Sequence, residues 1–333
     1  MTIQWEPLRP ILADHQKFVI SSHVRPDADA IGSELGLARM LQSLGKSVQI
    51  INHSPTPPNL LFLDPDRIVK QLGHGATAAD IAAADVHFVV DTSSWMQLSD
   101  VGKAMRDSKA IRVVIDHHVS ADDLGAIEFK DTSCEATGSL IFDLAQFLGV
   151  SLAPDAATAL FAAIATDTGW FRFSAVTSQT MVRIARLIDY GASPALIFRE
   201  LYEQSSLARM HLVGRALSQM VLDCDGELAY VSVPWSDFEQ TGAVSSDTED
   251  LVNECLKVTG TKGAFIAIEM QSRQVKISFR SRIEGLDVAK IAEQFGGGGH
   301  RQAAGATLPG PLAEAIGKAR SSMVQVIIGL RNP

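Results

Sequence analysis

The stretch Ala110-Ile111-Arg112-Val113-Val114-Ile115-Asp116-His117-His118-Val119 decides how the rest of the chain is read. Ala110–Ile115 is a short apolar run rich in β-branched residues, which suits a buried strand. It delivers an Asp and two consecutive His at its C-terminal end, where ligand sites form in open α/β sheets. Working outward, Val86–Val90 is a second apolar strand and ends at Asp91. Lys17–Ser22 and Ser47–Ile51 are two more, separated by a helical pattern over Asp29–Leu44 that stops at Gly45. Pro55, Pro57 and Pro58 mark a loop, and Ala136–Leu148 and Pro154–Thr166 follow as helices. Strands alternating with helices imply an α/β domain built on a mostly parallel sheet flanked by helices.

Residues 177–220 are helical in pattern. A second, smaller α/β unit then begins, with strands over Leu228–Val233, Ala264–Glu269 and Val275–Phe279 and a helix over Asp287–Gln294. A glycine run, Gly296–Gly299, reads as a loop, and a terminal helix starts at Pro311. The division is therefore a larger domain at 1–190, a helical linker at 191–222 and a smaller domain at 223–333. With 333 residues the chain is long enough for two cores.

Composition narrows the function. The chain is 46% hydrophobic and 20% charged, so it is globular rather than disordered. No window approaches 18 uncharged apolar residues, and the first residues lack a basic region followed by an apolar run. Neither a membrane span nor a signal peptide is expected. Three widely spaced Cys exclude a disulfide framework and a CxxC zinc site, which fits a reducing cytoplasm. The net charge of −9 speaks against a protein that tracks long nucleic acid. That charge is uneven: residues 256–305 hold 8 Lys and Arg against 4 acids, whereas 191–255 hold 3 against 11. An acidic part that needs cations to hold a phosphate, beside a basic part that meets it directly, suits a small anionic ligand.

Four strand or helix ends carry acids and His: His23 with Asp27 and Asp29, then Asp91, then Asp116-His117-His118, then Asp167. Each has a plainer reading. Asp27 or Asp29 would cap the helix that follows, Asp91 would close a loop on its own backbone, and Asp167 would sit at a helix stop before Gly169. Taken together these readings require four independent accidents in one sheet, and none explains His23. A two-metal site needs a bridging carboxylate and a few terminal ligands on each ion, and this set supplies that number. A mixed His/Asp set suits Mn²⁺ or Mg²⁺, with Zn²⁺ as an alternative. The fifth segment is Gly296-Gly297-Gly298-Gly299-His300-Arg301, preceded by Lys276-Ile277-Ser278-Phe279-Arg280-Ser281-Arg282. Bare glycine backbone with adjoining His and Arg suits an anion, while the plain reading is a flexible loop and a solvated strand face. It matches neither GxGxxG nor the P-loop pattern, so neither a dinucleotide cofactor nor a P-loop NTPase is supported.

These five segments in this order resemble the DHH phosphoesterase superfamily with its accompanying C-terminal substrate-binding domain, over roughly residues 15–310. The combination is most similar to the bifunctional oligoribonuclease and PAP phosphatase group. The resemblance implies a DHH catalytic domain and a smaller DHH-associated domain with a cleft between them, and two divalent cations, Mn²⁺ first and Mg²⁺ as the alternative. It implies that His23, Asp27 and Asp91 hold one ion and that Asp29, Asp91, His117 and Asp167 hold the other, with Asp91 bridging. Asp116 would orient His117, and His118 would act on the scissile phosphate or the leaving oxygen. Arg280, Ser281, Arg282, Gly298, Gly299 and His300 would hold the rest of the substrate. The implied activity is hydrolysis of short oligoribonucleotides to mononucleotides and of 3′-phosphoadenosine 5′-phosphate to AMP. Rival readings are a linear or cyclic dinucleotide phosphodiesterase and a non-catalytic nucleotide sensor. Implied partners are short RNA or nucleotides, without long duplexes or membranes. The resemblance allows a homodimer through the helices of 177–220, although the pattern does not demand one.

Overall fold

Strand Lys17–Ser21 (β1) is the axis of the first sheet. β2 (Ser47–Asn52), β3 (Val69–Leu72) and β4 (Gly75–Ala76) lie on one side of it, and β5 (Val86–Val90), β6 (Ile111–Asp116) and β7 (Ile127–Lys130) on the other. All six pairings are parallel, in the order β4-β3-β2-β1-β5-β6-β7. The structure is a computed structural model and describes residues 3–331. The chain fills one side of β1 and then crosses to the other, so the strand order reverses between β1 and β5. Connections there leave in opposite directions and open a crevice at the carboxyl ends.

Both faces of this sheet are covered, which explains why its strands read as continuous apolar runs. Phe18, Ile20, Phe88, Val90, Val113 and Ile115 pack with helices Ala28–Ser43, Thr137–Leu148 and Pro154–Asp167. Val19, Ile51, Val89 and Val114 face the other way, where Ile81, Leu98, Val101 and Met105 of helices Ala78–Ala82 and Trp95–Asp107 meet them. The helix Trp95–Asp107 was not anticipated from the sequence. Helices Ala28–Ser43 and Pro154–Asp167 approach very closely. A Cβ built on Gly32 would lie 2.3 Å from the Ala159 carbonyl oxygen and 2.9 Å from the Ala163 Cβ, so only glycine fits.

Residues up to Gln204 form one compact unit and those from Ser205 a second. The segment expected as a linker, 191–222, is divided between them. Helix Pro194–Tyr202 buries Ile197 in the first core, and helix Leu207–Ser218 buries Leu212 and Ala216 in the second unit. The second unit is a mixed six-stranded sheet in the order β12-β13-β11-β10-β9-β8. These are Val221–Asp223 (β8), Leu228–Val233 (β9), Gly263–Glu269 (β10), Gln274–Ser281 (β11), Gly298–His300 (β12) and Ala303–Pro309 (β13). Only β9 and β10 run parallel. Helices Val288–Glu293 and Leu312–Arg331 cover one face, and helices Leu207–Ser218, Trp235–Thr241 and Leu251–Cys255 cover part of the other. No helix among the described residues is long and apolar enough to cross a membrane.

Candidate metal centre

The switch between β1 and β5 brings the sequence-predicted acids and His together. His23 follows the end of β1, Asp91 the end of β5, and His117 the end of β6. Asp27 caps helix Ala28–Ser43, its Oδ1 accepting the Ala30 N–H at 3.0 Å, and it also stands 3.8 Å from His23 Nε2. Capping and cluster membership therefore coexist in one side chain. Asp91 is the centre. Its Oδ2 lies 3.4 Å from His23 Nε2, and its Oδ1 lies 3.6 Å from His117 Nε2. His117 Nε2 is also 3.7 Å from Asp29 Oδ2 and 3.5 Å from Asp167 Oδ2. Three overlapping donor groups result, His23/Asp27/Asp91, Asp29/His117/Asp167 and Asp91/His117/His118, each tight enough to share a cation. Most of these gaps are too long for good hydrogen bonds. They are near the roughly 3 Å separation of neighbouring ligand atoms around a cation bonded at about 2.1 Å.

The backbone prepares each ligand. Asp91 adopts φ +62°, a left-handed conformation that Asp tolerates better than most residues, so the chain turns and both oxygens project from the strand end. His23 Nδ1–H donates to the Val24 carbonyl and His117 Nδ1–H to the Cys134 carbonyl, leaving both Nε2 atoms facing the acids. Helix Trp95–Asp107 is interrupted at Ser99, φ +51°, and the Gln97 carbonyl accepts the Val24 N–H at 2.7 Å. That bond fastens the His23 loop. Asp29 is buried and accepts the Thr137 N–H at 2.7 Å and the Gly138 N–H at 2.9 Å, at the start of helix Thr137–Leu148. Thr137 Oγ1 donates to Asp91 Oδ1 at 2.8 Å. After Asp167 the chain makes a left-handed turn through Gly169, Trp170 and Phe171, held by the Thr168 hydroxyl and by Trp170 packing on Phe161, Phe198 and Tyr202.

The electrostatics describe a cluster that repels itself. Burial, then the charges of Asp91 and Asp167, push Asp29 well above the usual carboxylate range. Burial pushes Asp167 to about 6, with His117 opposing and Asp91 reinforcing. Burial alone would lower His23, but the carboxylates of Asp27 and Asp91 beside it prevail and raise it to about 11. A proton on His23 thus stands where a cation would, and the hard-oxygen and imidazole donor set fits Mn²⁺ or Mg²⁺. All three shifts have one sign. An acid raised in the fold binds more protons folded than unfolded between its two pKa values, so stability falls as pH rises through about 4 to 6. The His23 contribution is complete below 6.5 and is lost as pH rises towards about 11. Cations need these groups deprotonated. Mn²⁺ should therefore raise the melting temperature more at about pH 8 than at about pH 5.5; an equal rise at both would separate the cluster from metal binding.

One role differs from the sequence expectation. Asp116 orients His118, not His117: its Oδ1 accepts His118 Nδ1–H at 2.9 Å and the His118 backbone N–H at 3.1 Å. Asp116 is the last residue of β6, and its Oδ1 lies over the turn that carries His118. Ser93 Oγ donates to its other oxygen, and Lys130 Nζ lies 3.3 Å away. Despite burial, the donors from His118 and Ser93 hold Asp116 down at about 2. The Asp116 hydrogen bond in turn raises His118. Sequence reading missed Ser93, Lys130, Cys134, Thr137 and Gly138. Several of these act through backbone atoms, which carry no residue-type signal.

In the second unit Arg280 and His300 are both in register with Ala303, which puts them on one face, beside Lys276 and Ser278. A cavity of about 290 Å³ on this face is lined by Lys276, Ser278, Arg280, Glu249 and Asp250, among others. Two of the expected residues find partners within the unit, and the glycine run takes a different form. Ser281 is buried and its hydroxyl donates to the Ile283 carbonyl, because residues alternate along β11. The Arg282 guanidinium donates to the Leu256 carbonyl. The glycine run is not a free loop: Gly298 and Gly299 belong to edge strand β12, paired with β13. Gly299 has φ +147°, and a Cβ there would lie 2.5 Å from the Ala303 carbonyl oxygen. A cavity of about 690 Å³ in the first unit contains none of the cluster; its Arg183 is already paired with Asp143 and Glu135.

Comparison with known proteins agrees with this geometry. Residues 17–164 match the DHH family N-terminal domain, and residues 225–328 match the DHHA1 domain. A Thermus thermophilus protein named bifunctional oligoribonuclease and PAP phosphatase NrnA is 33% identical over 92% of this chain and 90% of its own. A Bacillus subtilis protein of the same name is 28% identical over 88% and 90%. An exopolyphosphatase-related protein from Bacteroides fragilis superposes with a TM-score of 0.85 at 25% identity, covering 98% of this chain and 97% of that one.

Proposed function

The chain belongs to the DHH family, and from that premise we propose a metal-dependent phosphoesterase that hydrolyses short oligoribonucleotides to mononucleotides and 3′-phosphoadenosine 5′-phosphate to AMP. The observation that carries the reading is Asp91, whose two oxygens face two separate donor groups at the sheet's switch point. His23, Asp27 and Asp91 would hold one cation, and Asp29, Asp91, His117 and Asp167 the other. A pair of divalent cations supplies Lewis acidity: a water acidic enough to attack near neutral pH, and relief of the phosphate's negative charge.

The chain's own groups do the rest. His118 is held by Asp116 through Nδ1, so Nε2 is left free, and on the protonated ring its N–H can donate to a phosphate oxygen or the leaving oxygen. Hydrogen bonds from His118 and Ser93 hold Asp116 as an anion, and that carboxylate favours the protonated form of His118 and fixes its direction. On the second unit, Arg280 and His300 share one face and are the groups suited to a phosphate or sugar. One site serves both substrates because each presents a phosphate esterified to a ribose 3′ oxygen.

The test is a panel incubated with Mn²⁺-loaded protein: di-, tri- and pentaribonucleotides, a longer RNA, 3′-phosphoadenosine 5′-phosphate and a cyclic dinucleotide. Mononucleotides from the shortest RNAs, with AMP and phosphate from the bisphosphate, are expected. Cleavage confined to dinucleotides would replace the reading with turnover of a signalling nucleotide, and no cleavage at all would leave a nucleotide sensor.

A further inference from the structure

Helix Ala28–Ser43 carries a second carboxyl group that the cluster does not use. Glu34 is fully buried at 0% exposure. Its Oε2 accepts a hydrogen bond from Asn52 Nδ2 at 2.9 Å, while its Oε1 is buried without a partner. Asn52, the last residue of β2, is also fully buried, and its Oδ1 accepts the Ser22 N–H at 3.0 Å. The Ser22 hydroxyl is buried and likewise has no partner. Three side chains thus form an open ring, and the two atoms at its opening are the orphaned ones. Leaving both unmet would cost roughly 1–3 kcal/mol each in general. In a dry site a carboxylate held by one amide and one hydroxyl is still poorly stabilised, whereas a neutral carboxyl can accept from Asn52 and donate to the Ser22 oxygen.

We propose that Glu34 is a positioning residue for the metal centre, its neutral carboxyl closing a hydrogen-bonded ring with Asn52 and Ser22 that fixes the end of β1. The consequence falls on the cluster because of where the ring sits. Ser22 immediately precedes His23, and the helix that carries Glu34 begins at the Asp27 cap and holds Asp29 in its first turn. The ring ties together the elements that present three of the candidate ligands. Burial also pushes Glu34 up to about 8, against the polar side chains of Asn52 and Ser22, in keeping with a neutral group. The inference rests on the metal reading of the cluster, and its test separates the two.

Glu34→Gln is the neutral isostere: its carbonyl accepts from Asn52 and its amide donates to Ser22. Glu34→Ala opens the ring. By calorimetry, E34Q should bind Mn²⁺ within about twofold of the parent, and E34A about tenfold or more weaker, as is usual when support behind a ligand is removed. One protonated-carboxyl infrared band of the metal-free parent, over and above that of Asp29, should be missing from E34Q. If E34Q is as impaired as E34A, a charged carboxylate is required and the proposal is wrong. If E34A binds Mn²⁺ like the parent, the ring positions nothing. Should E34A fail to fold, Ser22→Ala is read in its place, with the same loss expected and unchanged binding overturning the idea. A parent that binds no Mn²⁺ overturns the metal reading and this role together, whereas parental binding that no variant alters overturns this role alone.

Discussion

Asp91→Asn should leave a folded protein whose Mn²⁺-dependent turnover is lower by on the order of 10⁴-fold, or about 5.5 kcal/mol of barrier. Asn suits this test because it tolerates the left-handed conformation that Asp91 adopts at φ +62° and can keep the hydrogen bond from Thr137 Oγ1. It changes the donor set only. Asp91 Oδ2 serves the His23 side and Oδ1 the His117 side. An amide offers a cation one oxygen and turns an NH₂ group towards the other, which cannot accept. The metal-free protein should not lose stability, since the Asp91 charge is among those that raise Asp29 and Asp167. Melting with and without Mn²⁺ then shows the ion's stabilisation lost while the metal-free melting temperature is held or raised. D91N turnover within tenfold of the parent would falsify the bridging role.

Gly32→Val should be the most damaging single change to the first unit's fold. The added side chain has no room against the Ala159 carbonyl at 2.3 Å, and backbone cannot step aside as a side chain can. Overpacking of this kind costs about 3 kcal/mol or more. A domain of this size then melts roughly 6–12 °C lower. The functional consequence is separate. Asp29 lies three residues before Gly32, and Asp167 lies four after Ala163, so prising these helices apart moves two carboxylates that both face His117. Saturating Mn²⁺ should therefore fail to restore the melting temperature. Gly214→Val is the control: it sits in helix Leu207–Ser218 with open space around its Cβ position, and Val is no worse than Gly in a helix. If G32V melts like G214V, the close helix approach does not hold the site.

The difference between these two residues marks how far the sequence can be read. Asp91 was legible, because an Asp ending the apolar run Val86–Val90 declares both its element and its chemistry. Gly32 was not, since a lone glycine inside a helical pattern says nothing of what lies opposite, and Ala159 is more than a hundred residues away. The same holds for the glycine run. Its composition suggested an anion-binding loop, but pairing with Ala303–Gly305 makes it an edge strand, and pairing is a property of the partner.

By itself, then, the sequence determined the α/β class, the strand and helix alternation of the first unit, and the six acids and imidazoles of the cluster. Apolar period reports secondary structure, and residue type reports which side chains can hold a cation. Only the tertiary structure decided that β1 and β5 are neighbours, so that His23 and Asp91 meet. Only it assigned Asp116 to His118, turned Ser281 inward, and supplied the Cys134 carbonyl and the Thr137 and Gly138 amides. Those choices are fixed by side-chain rotamers and by backbone donors brought from up to 109 residues away. A peptide N–H or C=O is the same in every residue except proline, so no residue type announces where it will be used.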